Sequence, residues 1–335
     1  MSNRYLSAPN SVVWDITNRC NLRCRHCYVK AESKGKSGPS IKEAKAIMDQ
    51  LKKAKVFTLS FSGGEPLMRE DLYELLQYAT KSFVVDVATN GLLIDEETAR
   101  KLKATGIAYV QLSLDGLEEA HDYLRGKKGA FQQLMKTTTI LNKVGLRFGV
   151  TSVVHKRNFD QVREMIELAE EIGAFTIRFY RLIYTGRGKD LSSLDITPLE
   201  YKHALEDIYS YQGKIRAVAD EAFGFLLHGR ENPHQWVGCE AGRTLAGIKA
   251  NGQVVPCPMF EDPVFYCGKV PDEDFTDIWK NSPVLEKFRE LDNIQGRCHD
   301  CQYLHQCGGG CRAAVYAKTG DLFASDYRCI VEEIE

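Results

Sequence analysis

From Val12 to about Arg181, short apolar runs alternate with longer amphipathic segments, the pattern that a parallel sheet with connecting helices leaves in a chain. The runs Val12 to Ile16, Phe57 to Phe61, Phe83 to Ala88, Tyr109 to Leu114, Arg147 to Val154 and Thr176 to Arg181 predict six strands. Helical periodicity over Ile41 to Lys52, Asp71 to Tyr78, Glu96 to Ala104, Phe131 to Val144 and Phe159 to Ile172 predicts the helices that link them. Loop formers crowd Thr185 to Ser193, and Asp195-Ile196-Thr197-Pro198 reads as a helix start. Helical patterning over Leu199 to Tyr211 and Glu221 to His228 then gives way to a segment rich in Gly, Pro and Cys. The expected organisation is a barrel-like unit over 1–197, a helical bridge over 198–236 and a small Cys-rich unit over 237–335.

At 335 residues and 44% hydrophobic content the chain has material for one large or two moderate cores. Lys and Arg (44) nearly balance Asp and Glu (45), so no overall field recruits nucleic acid or an anionic membrane. No basic stretch precedes an apolar one at the start, and no run approaches the ~18 apolar residues of a membrane span, so the expected location is the cytoplasm. Eleven cysteines, an odd number in a reducing compartment, then read as metal ligands rather than a disulfide framework.

Cys20, Cys24 and Cys27 bring three thiols into one short loop. A structural zinc site wants four protein ligands, whereas a four-iron, four-sulfur cluster held by three cysteines leaves one iron free for chemistry. A zinc knuckle completed by His26 and three unrelated buried thiols are the alternatives, but His26 adjoins Cys27 and its ring would have to fold back onto the same ion, and buried thiols have no reason to cluster within eight positions. The C-x3-C-x2-C spacing followed by Tyr28 resembles the radical S-adenosylmethionine (SAM) enzymes. That resemblance implies that the open iron is chelated by the amino and carboxylate groups of SAM.

Further motifs fall just beyond the carboxyl ends of the predicted strands, where loops vary without disturbing a core. Gly63 and Gly64 leave the backbone open to close approach, and Glu65 adds a carboxylate; within the family such a run contacts the amino group of SAM, although alone it reads as a turn. By the same resemblance Ser113, within Ser113-Leu114-Asp115-Gly116, lines the ribose, Arg125 meets the methionine carboxylate, and Thr89 and Asn90 join the pocket. Asp115-Gly116 is also a common turn pair, and Arg125 reads equally as a surface cation. Tyr28 offers a flat face to adenine, with a plain core tyrosine as the competing view.

The remaining cysteines, Cys239, Cys257, Cys267, Cys298, Cys301, Cys307, Cys311 and Cys329, all follow residue 238. Gly252 followed by Cys257, then the Cys298-x2-Cys301-x5-Cys307-x3-Cys311 run and Cys329, resemble the SPASM extension of radical SAM enzymes, which holds two auxiliary iron-sulfur clusters. The resemblance implies an outer cluster on Cys298, Cys301, Cys307 and Cys329 and an inner one on Cys239, Cys257 and Cys311. Cys267, on the apparent return strand of a hairpin from Cys257, either completes the inner set or is a small buried hydrophobe. A zinc ribbon that also draws on His299 and His305 is the structural alternative.

The fold class implied is α/β: a partial (β/α)6 TIM-like barrel followed by a small α+β SPASM domain. The implied cofactors are SAM and three 4Fe-4S clusters, one at the front loop and two auxiliary. The implied reaction is reductive cleavage of SAM to a 5'-deoxyadenosyl radical that abstracts hydrogen from a peptide or protein side chain, leading to oxidation, crosslinking or epimerisation. Modification of a tetrapyrrole or other cofactor side chain is the alternative, and a non-catalytic iron-sulfur or zinc protein the second. Pro258 stands where sulfatase-type maturases carry an aspartate, which disfavours that activity. Molybdenum-cofactor synthases, with three rear cysteines and a terminal Gly pair, are remote. Only nineteen residues precede Cys20, so no leader-binding domain is expected ahead of the barrel. Arg178, Arg181 and Arg187, near the sixth strand, are candidates for binding carboxylates. The partners expected are a peptide or porphyrin-like substrate and an electron donor such as ferredoxin or flavodoxin, with no nucleic acid and no membrane.

Overall fold

Side chains alternate between the two faces of β1 (Ser11–Asp15), so Val12 and Trp14 are fully buried on one face while Val13 and Asp15 point to the other. The computed structural model describes residues 5–35, 38–220, 222–228 and 238–334. It sets β1 parallel to β2 (Thr58–Ser62), which begins a run of parallel pairings through β3 (Val84–Thr89), β4 (Tyr109–Ser113), β5 (Phe148–Val154) and β6 (Thr176–Arg181). All six predicted strands are present. Helices α1 (Ile41–Lys53), α2 (Leu72–Ala79), α3 (Glu96–Ala104), α4 (Glu118–Arg125), α5 (Ala130–Val144) and α6 (Val162–Glu171) connect or follow them. α1 starts where it does because Ser40 and Glu43 form a reciprocal capping box that satisfies its first free N–H groups. α4 was not among the expected helices; its N-cap, Leu117, offers no capping side chain to mark a start, and Gly126 in the left-handed region ends it.

The bridge also differs from expectation. α7 (Pro198–Ser210) is the helix anticipated, but β7 (Arg216–Ala219) follows it and extends the sheet in parallel beyond β6. Four residues with one buried alanine carry no readable strand pattern. Of the second bridging helix, Glu221 lies outside the described residues, and Phe225–His228 forms the single turn α8.

The rear segment does not form a separate sheet. β8 (Leu245–Ile248) pairs in parallel with β1, and β9 (Gln253–Val255) and β10 (Gly268–Lys269) continue antiparallel from it. The result is one ten-stranded sheet in the order β10-β9-β8-β1-β2-β3-β4-β5-β6-β7, a partial barrel with the Cys-rich segment built onto its first edge. Helices α9 (Phe275–Asn281), α10 (Pro283–Arg289), α11 (Leu304–Cys307) and α12 (Arg312–Thr319) complete that segment. The main core lies between sheet and helices, with Trp14 and Phe61 rings 5.9 Å apart. A second core gathers Phe260, Phe265 and Phe288. Among the described residues no helix is long and apolar enough to cross a membrane.

Because side chains alternate, the sheet face away from the helices collects Asp15, Ser60, Ser62, Asp86, Ser113 and Arg178. That polar face, and the loops at the carboxyl ends of the strands, define the site.

Candidate active site

Beyond β1 the backbone runs beside the loop leaving β2. Gly64 N donates to Thr17 O and Glu65 N to Arg19 O, each at 2.7 Å. A side chain on Gly64 would overlap the Arg19 carbonyl, and Gly63 holds a φ of 113°, which residues with a Cβ rarely adopt. The two glycines therefore first admit the backbone of the cysteine loop itself. Glu65 is wholly buried, and its carboxylate accepts hydrogen bonds from Thr89 Oγ1 (2.6 Å), Asn90 N (2.9 Å) and Leu67 N (3.2 Å). Burial raises its pKa and these donors work against that rise. Asn90 Nδ2 in turn donates to Asn21 Oδ1 (2.8 Å), so Glu65, Thr89 and Asn90 act together to fix the loop from the sides of β2 and β3.

Two more elements grip the same loop. Arg25 N donates to Leu124 O of α4 (2.9 Å). From the turn Gly186–Asp190 beyond β6, Arg187 N donates to Cys27 O (3.0 Å), while its guanidinium reaches Cys24 O (2.8 Å) and Ala31 O (2.9 Å). Of the three arginines singled out for carboxylates, Arg187 thus holds the cysteine loop. Arg181 is buried against Asp195 and the Ile196 carbonyl, and Arg178 pairs with Asp220 at 2.8 Å. Sequence alone could not show these partners, which lie on other elements.

Cys20 and Cys24 are buried and Cys27 is half-buried, all with free thiols. Leu22 N points at Cys20 Sγ (3.4 Å), and Arg125 Nη1 at Cys24 Sγ (3.8 Å). Burial pushes the Cys20 thiol up to about 12 and raises Cys24 as well, against the pull of Arg125. Metal ligation deprotonates such thiols, and the N–H and guanidinium aimed at the sulfurs suit the resulting thiolates. The donor set therefore fits an iron-sulfur cluster. Among the described residues no three His, Cys, Asp or Glu side chains form a group placed to hold a single metal ion.

Arg125 is anchored by Asp115, Nη2 to Oδ2 at 2.6 Å, and both are buried. Asp115 Oδ1 also accepts from Val153 N (2.9 Å), Asp115 N donates to His121 Nδ1 (3.1 Å), and His26 Nε2 lies 3.9 Å from Oδ2. His26 therefore turns toward Asp115, whereas the knuckle reading had it as a metal ligand. Burial alone would raise Asp115; Arg125, His26, His121 and the Val153 N–H outweigh it and leave its pKa below the usual value. Ser113 lies on the inward face, in register with Thr151. Tyr28 sends its hydroxyl to Asp15 Oδ1 (2.7 Å), and Lys249 Nζ sits 5.3 Å from its ring centre. Lys249, from the end of β8, also pairs with Glu261 and stands 3.6 Å from Asp15 Oδ2. Asp15 and Lys249 were missed because each is a single charge in an apolar run; their pairing appears only once β8 joins β1.

Among the rear cysteines, burial raises Cys257, and Cys239 and Cys311 are the neighbouring thiols that add to the effect. Cys307 is likewise raised, with Cys329 and Cys298 as its neighbours. Cys301 N donates to Cys298 O (3.3 Å). Cys257 thus sits near Cys239 and Cys311, and Cys307 near Cys298 and Cys329, and grouped thiols of this kind are donors that sulfur-bridged iron takes. Cys267 stands apart: its thiol meets Phe265 O (3.5 Å), and Ser282 and Arg289 are the groups that oppose its rise to about 12 through burial. Asp326, held by Arg328, accepts from Cys311 N (2.9 Å) and also influences Cys307 and Cys329, so it lies where the two sets meet.

The imidazoles around Asp115 give a pH signature. Burial takes His121 and His155 down to about 4, whereas the unfolded chain protonates them near ~6.5. Between those values the unfolded state binds protons that the folded state refuses, so stability is full above about 6.5 and falls as pH drops toward about 4. The urea midpoint of the metal-loaded protein should be lower at about pH 5 than at about pH 7, and a His155→Gln variant should show a shallower decline. A flat wild-type profile would count against this placement.

Comparison with known proteins agrees with the geometry. The profile of the Radical SAM superfamily matches residues 14–169, and that of the SPASM iron-sulfur cluster-binding domain matches 239–302. The AdoMet-dependent heme synthase of Methanosarcina barkeri is 33% identical over 97% of this chain and 97% of its own. The mycofactocin maturase MftC of Mycolicibacterium smegmatis is 36% identical over 98% of this chain and 84% of its own. Streptococcus suis SuiB bound to the precursor peptide SuiA superposes with a TM-score of 0.81 at 21% identity, over 98% of this chain and 77% of SuiB, a likeness of fold. This chain belongs to the radical SAM superfamily and carries a SPASM iron-sulfur cluster-binding domain.

Proposed function

We propose that the protein modifies a peptide or protein side chain by radical hydrogen abstraction, using SAM and three 4Fe-4S clusters. In this reading Cys20, Cys24 and Cys27 hold the SAM-binding cluster, Cys239, Cys257 and Cys311 the inner auxiliary one, and Cys298, Cys301, Cys307 and Cys329 the outer. Cys267 is then a buried thiol beside Ser282 rather than a ligand. When bound, the front cluster and SAM supply a 5'-deoxyadenosyl radical. The chain's own residues position and shield: Glu65, Asn90 and Arg187 keep the cysteine loop in place, and the inward face of the sheet holds the substrate carbon away from water. An iron-sulfur or flavin carrier in the cytoplasm provides the electron.

One observation favours a peptide over a tetrapyrrole. The cations of the site are already paired: Arg125 with Asp115, Arg178 with Asp220, and Lys249 with Asp15 and Glu261. A substrate bearing several carboxylates would have to displace these partners, and separating a buried charge pair is costly. The second reading, side-chain chemistry on a tetrapyrrole, draws on the 33% identity to a heme synthase over nearly the whole chain.

A label-transfer assay separates the two. The reconstituted protein is incubated without oxygen with reductant, SAM and a small-peptide fraction from cells of the source organism fed deuterated aliphatic and aromatic amino acids, a label that tetrapyrroles do not inherit. A parallel reaction contains an iron coproporphyrin deuterated on its propionates. Deuterium should appear in 5'-deoxyadenosine from the peptide fraction. Transfer from the porphyrin alone would replace the first reading with the second, and absence of cleavage by cluster-loaded protein would remove both. Iron should approach about twelve per chain, four for each cluster.

A further inference from the structure

The outer side of the cysteine loop carries a group of cations, bordered by Glu118, Glu119 and Asp122 of α4. Arg23 and Arg25 lie on the loop, Lys127 and Lys128 follow α4, and Arg157 follows β5; all are exposed. The fold brings them together: Arg25 N bonds to Leu124 O, the Arg23 carbonyl would lie 3.1 Å from a Cβ on Gly126, and the guanidinium groups of Arg25 and Arg157 lie 4.5 and 4.0 Å from the centre of the Tyr123 ring. Among the described residues Arg23, Arg25, Lys127 and Lys128 pair with no carboxylate, and Arg157 meets only Glu119, at 3.5 Å. Some exposed cations elsewhere are answered by neighbouring acids, as in Lys101 with Glu97, and Arg100 and Lys143 with Glu96, whereas others of the described residues, Lys42, Lys52 and Lys136 among them, are not; what sets this group apart is its place beside the cysteine loop. The chain as a whole has a net charge of -1, so this face is a local field and not part of a general excess.

What lies beneath gives the field a purpose. Arg125, one residue beyond Leu124, directs its guanidinium to Cys24 Sγ at 3.8 Å. One layer of residues thus separates the cationic surface from a cysteine of the front set. We propose that this face is the docking surface for an acidic ferredoxin, which delivers the electron that the front cluster requires. The inference rests on the electron-donor reading given above. One electron leaves the carrier's reduced iron-sulfur centre, which becomes oxidised by one unit, and enters the cluster held by Cys20, Cys24 and Cys27; no bond forms or breaks between the proteins. A ferredoxin fits on two counts. Charge complementarity speeds encounter and sets orientation, and plant-type ferredoxins lie at the strongly reducing end that such a transfer needs.

The test uses the cluster-loaded protein and an oxidised acidic ferredoxin, with binding measured by calorimetry. Wild type should bind at about 0.02 M salt and lose most of its affinity by about 0.3 M, because exposed charges are screened within a Debye length. The Lys127→Glu/Lys128→Glu double variant and Arg157→Glu should each weaken binding by about tenfold or more with a shallower salt dependence. Both should keep wild-type iron content and wild-type release of 5'-deoxyadenosine when dithionite replaces the carrier. Equal ferredoxin affinity in wild type and variants, or no binding by wild type at low salt, would overturn the proposal. Binding of an acidic flavodoxin in place of ferredoxin would overturn the assigned partner. Failure of dithionite-driven cleavage in wild type would be a failure of the catalytic reading, and the affinity measurements would still decide the surface.

Discussion

A Cys24→Ala variant should release no 5'-deoxyadenosine above background under reductant and SAM, while the intact protein releases it readily. Cys24 has the most constrained setting of the front set. Its sulfur faces the Arg125 guanidinium, its carbonyl is held by Arg187, and Arg25 next to it is tied to α4. Removing the thiol leaves two donors, too few to retain a cluster, and Arg125 then points into the gap. Iron should fall by about four per chain if the rear sets remain filled. That partial loss separates a specific defect from general unfolding, in which all the iron would go. Retention of cleavage by the variant would remove Cys24 from the site and with it the reading of the whole front loop.

The second large effect concerns a residue that the sequence offered as part of a ribose-lining segment. Asp115→Ala should destabilise the protein by about 3–5 kcal/mol, because it leaves the buried Arg125 guanidinium without its counter-charge. Asp115→Asn should cost less, since an amide still accepts from Val153 N. Denaturant midpoints of the metal-loaded forms measure the difference. The sign of the pH effect follows from the lowered pKa of Asp115. Its contribution is present above the unfolded value near ~3.9 and is lost as pH falls through the lower folded value. It therefore persists through the range above about 4 in which His121 and His155 already reduce stability. Equal midpoints for wild type and Asp115→Ala would show that Arg125 finds another partner or reaches water.

Much of this was legible in the chain, for reasons that can be named. The six strands of the barrel were visible because buried parallel strands are short, apolar and flanked by turn formers, as in Val12 to Ile16 and Thr176 to Arg181. The front cysteines were visible because three thiols within eight positions of one loop stand out in a sequence. β7 escaped because a four-residue strand does not span enough residues to display a period, and α4 because Leu117 gives its start no capping side chain. The roles of Arg181 and Arg187 escaped because a cation at a strand end looks the same whether it meets solvent, a ligand or another loop.

Local sequence thus determined which groups were available: three thiols within one front loop, eight further cysteines after residue 238, and glycines where the backbone needed room. Tertiary structure decided what those groups face. It joined β8 to β1, which brought Lys249 to Asp15 and Tyr28, and it folded α4 against the cysteine loop, which gave Arg125 both a sulfur and a carboxylate. Spacing along a chain reports only bonds that a few residues can span. Charges fifty or a hundred positions apart choose their partners through burial, because an ion taken from water must find its opposite wherever the packing has placed it.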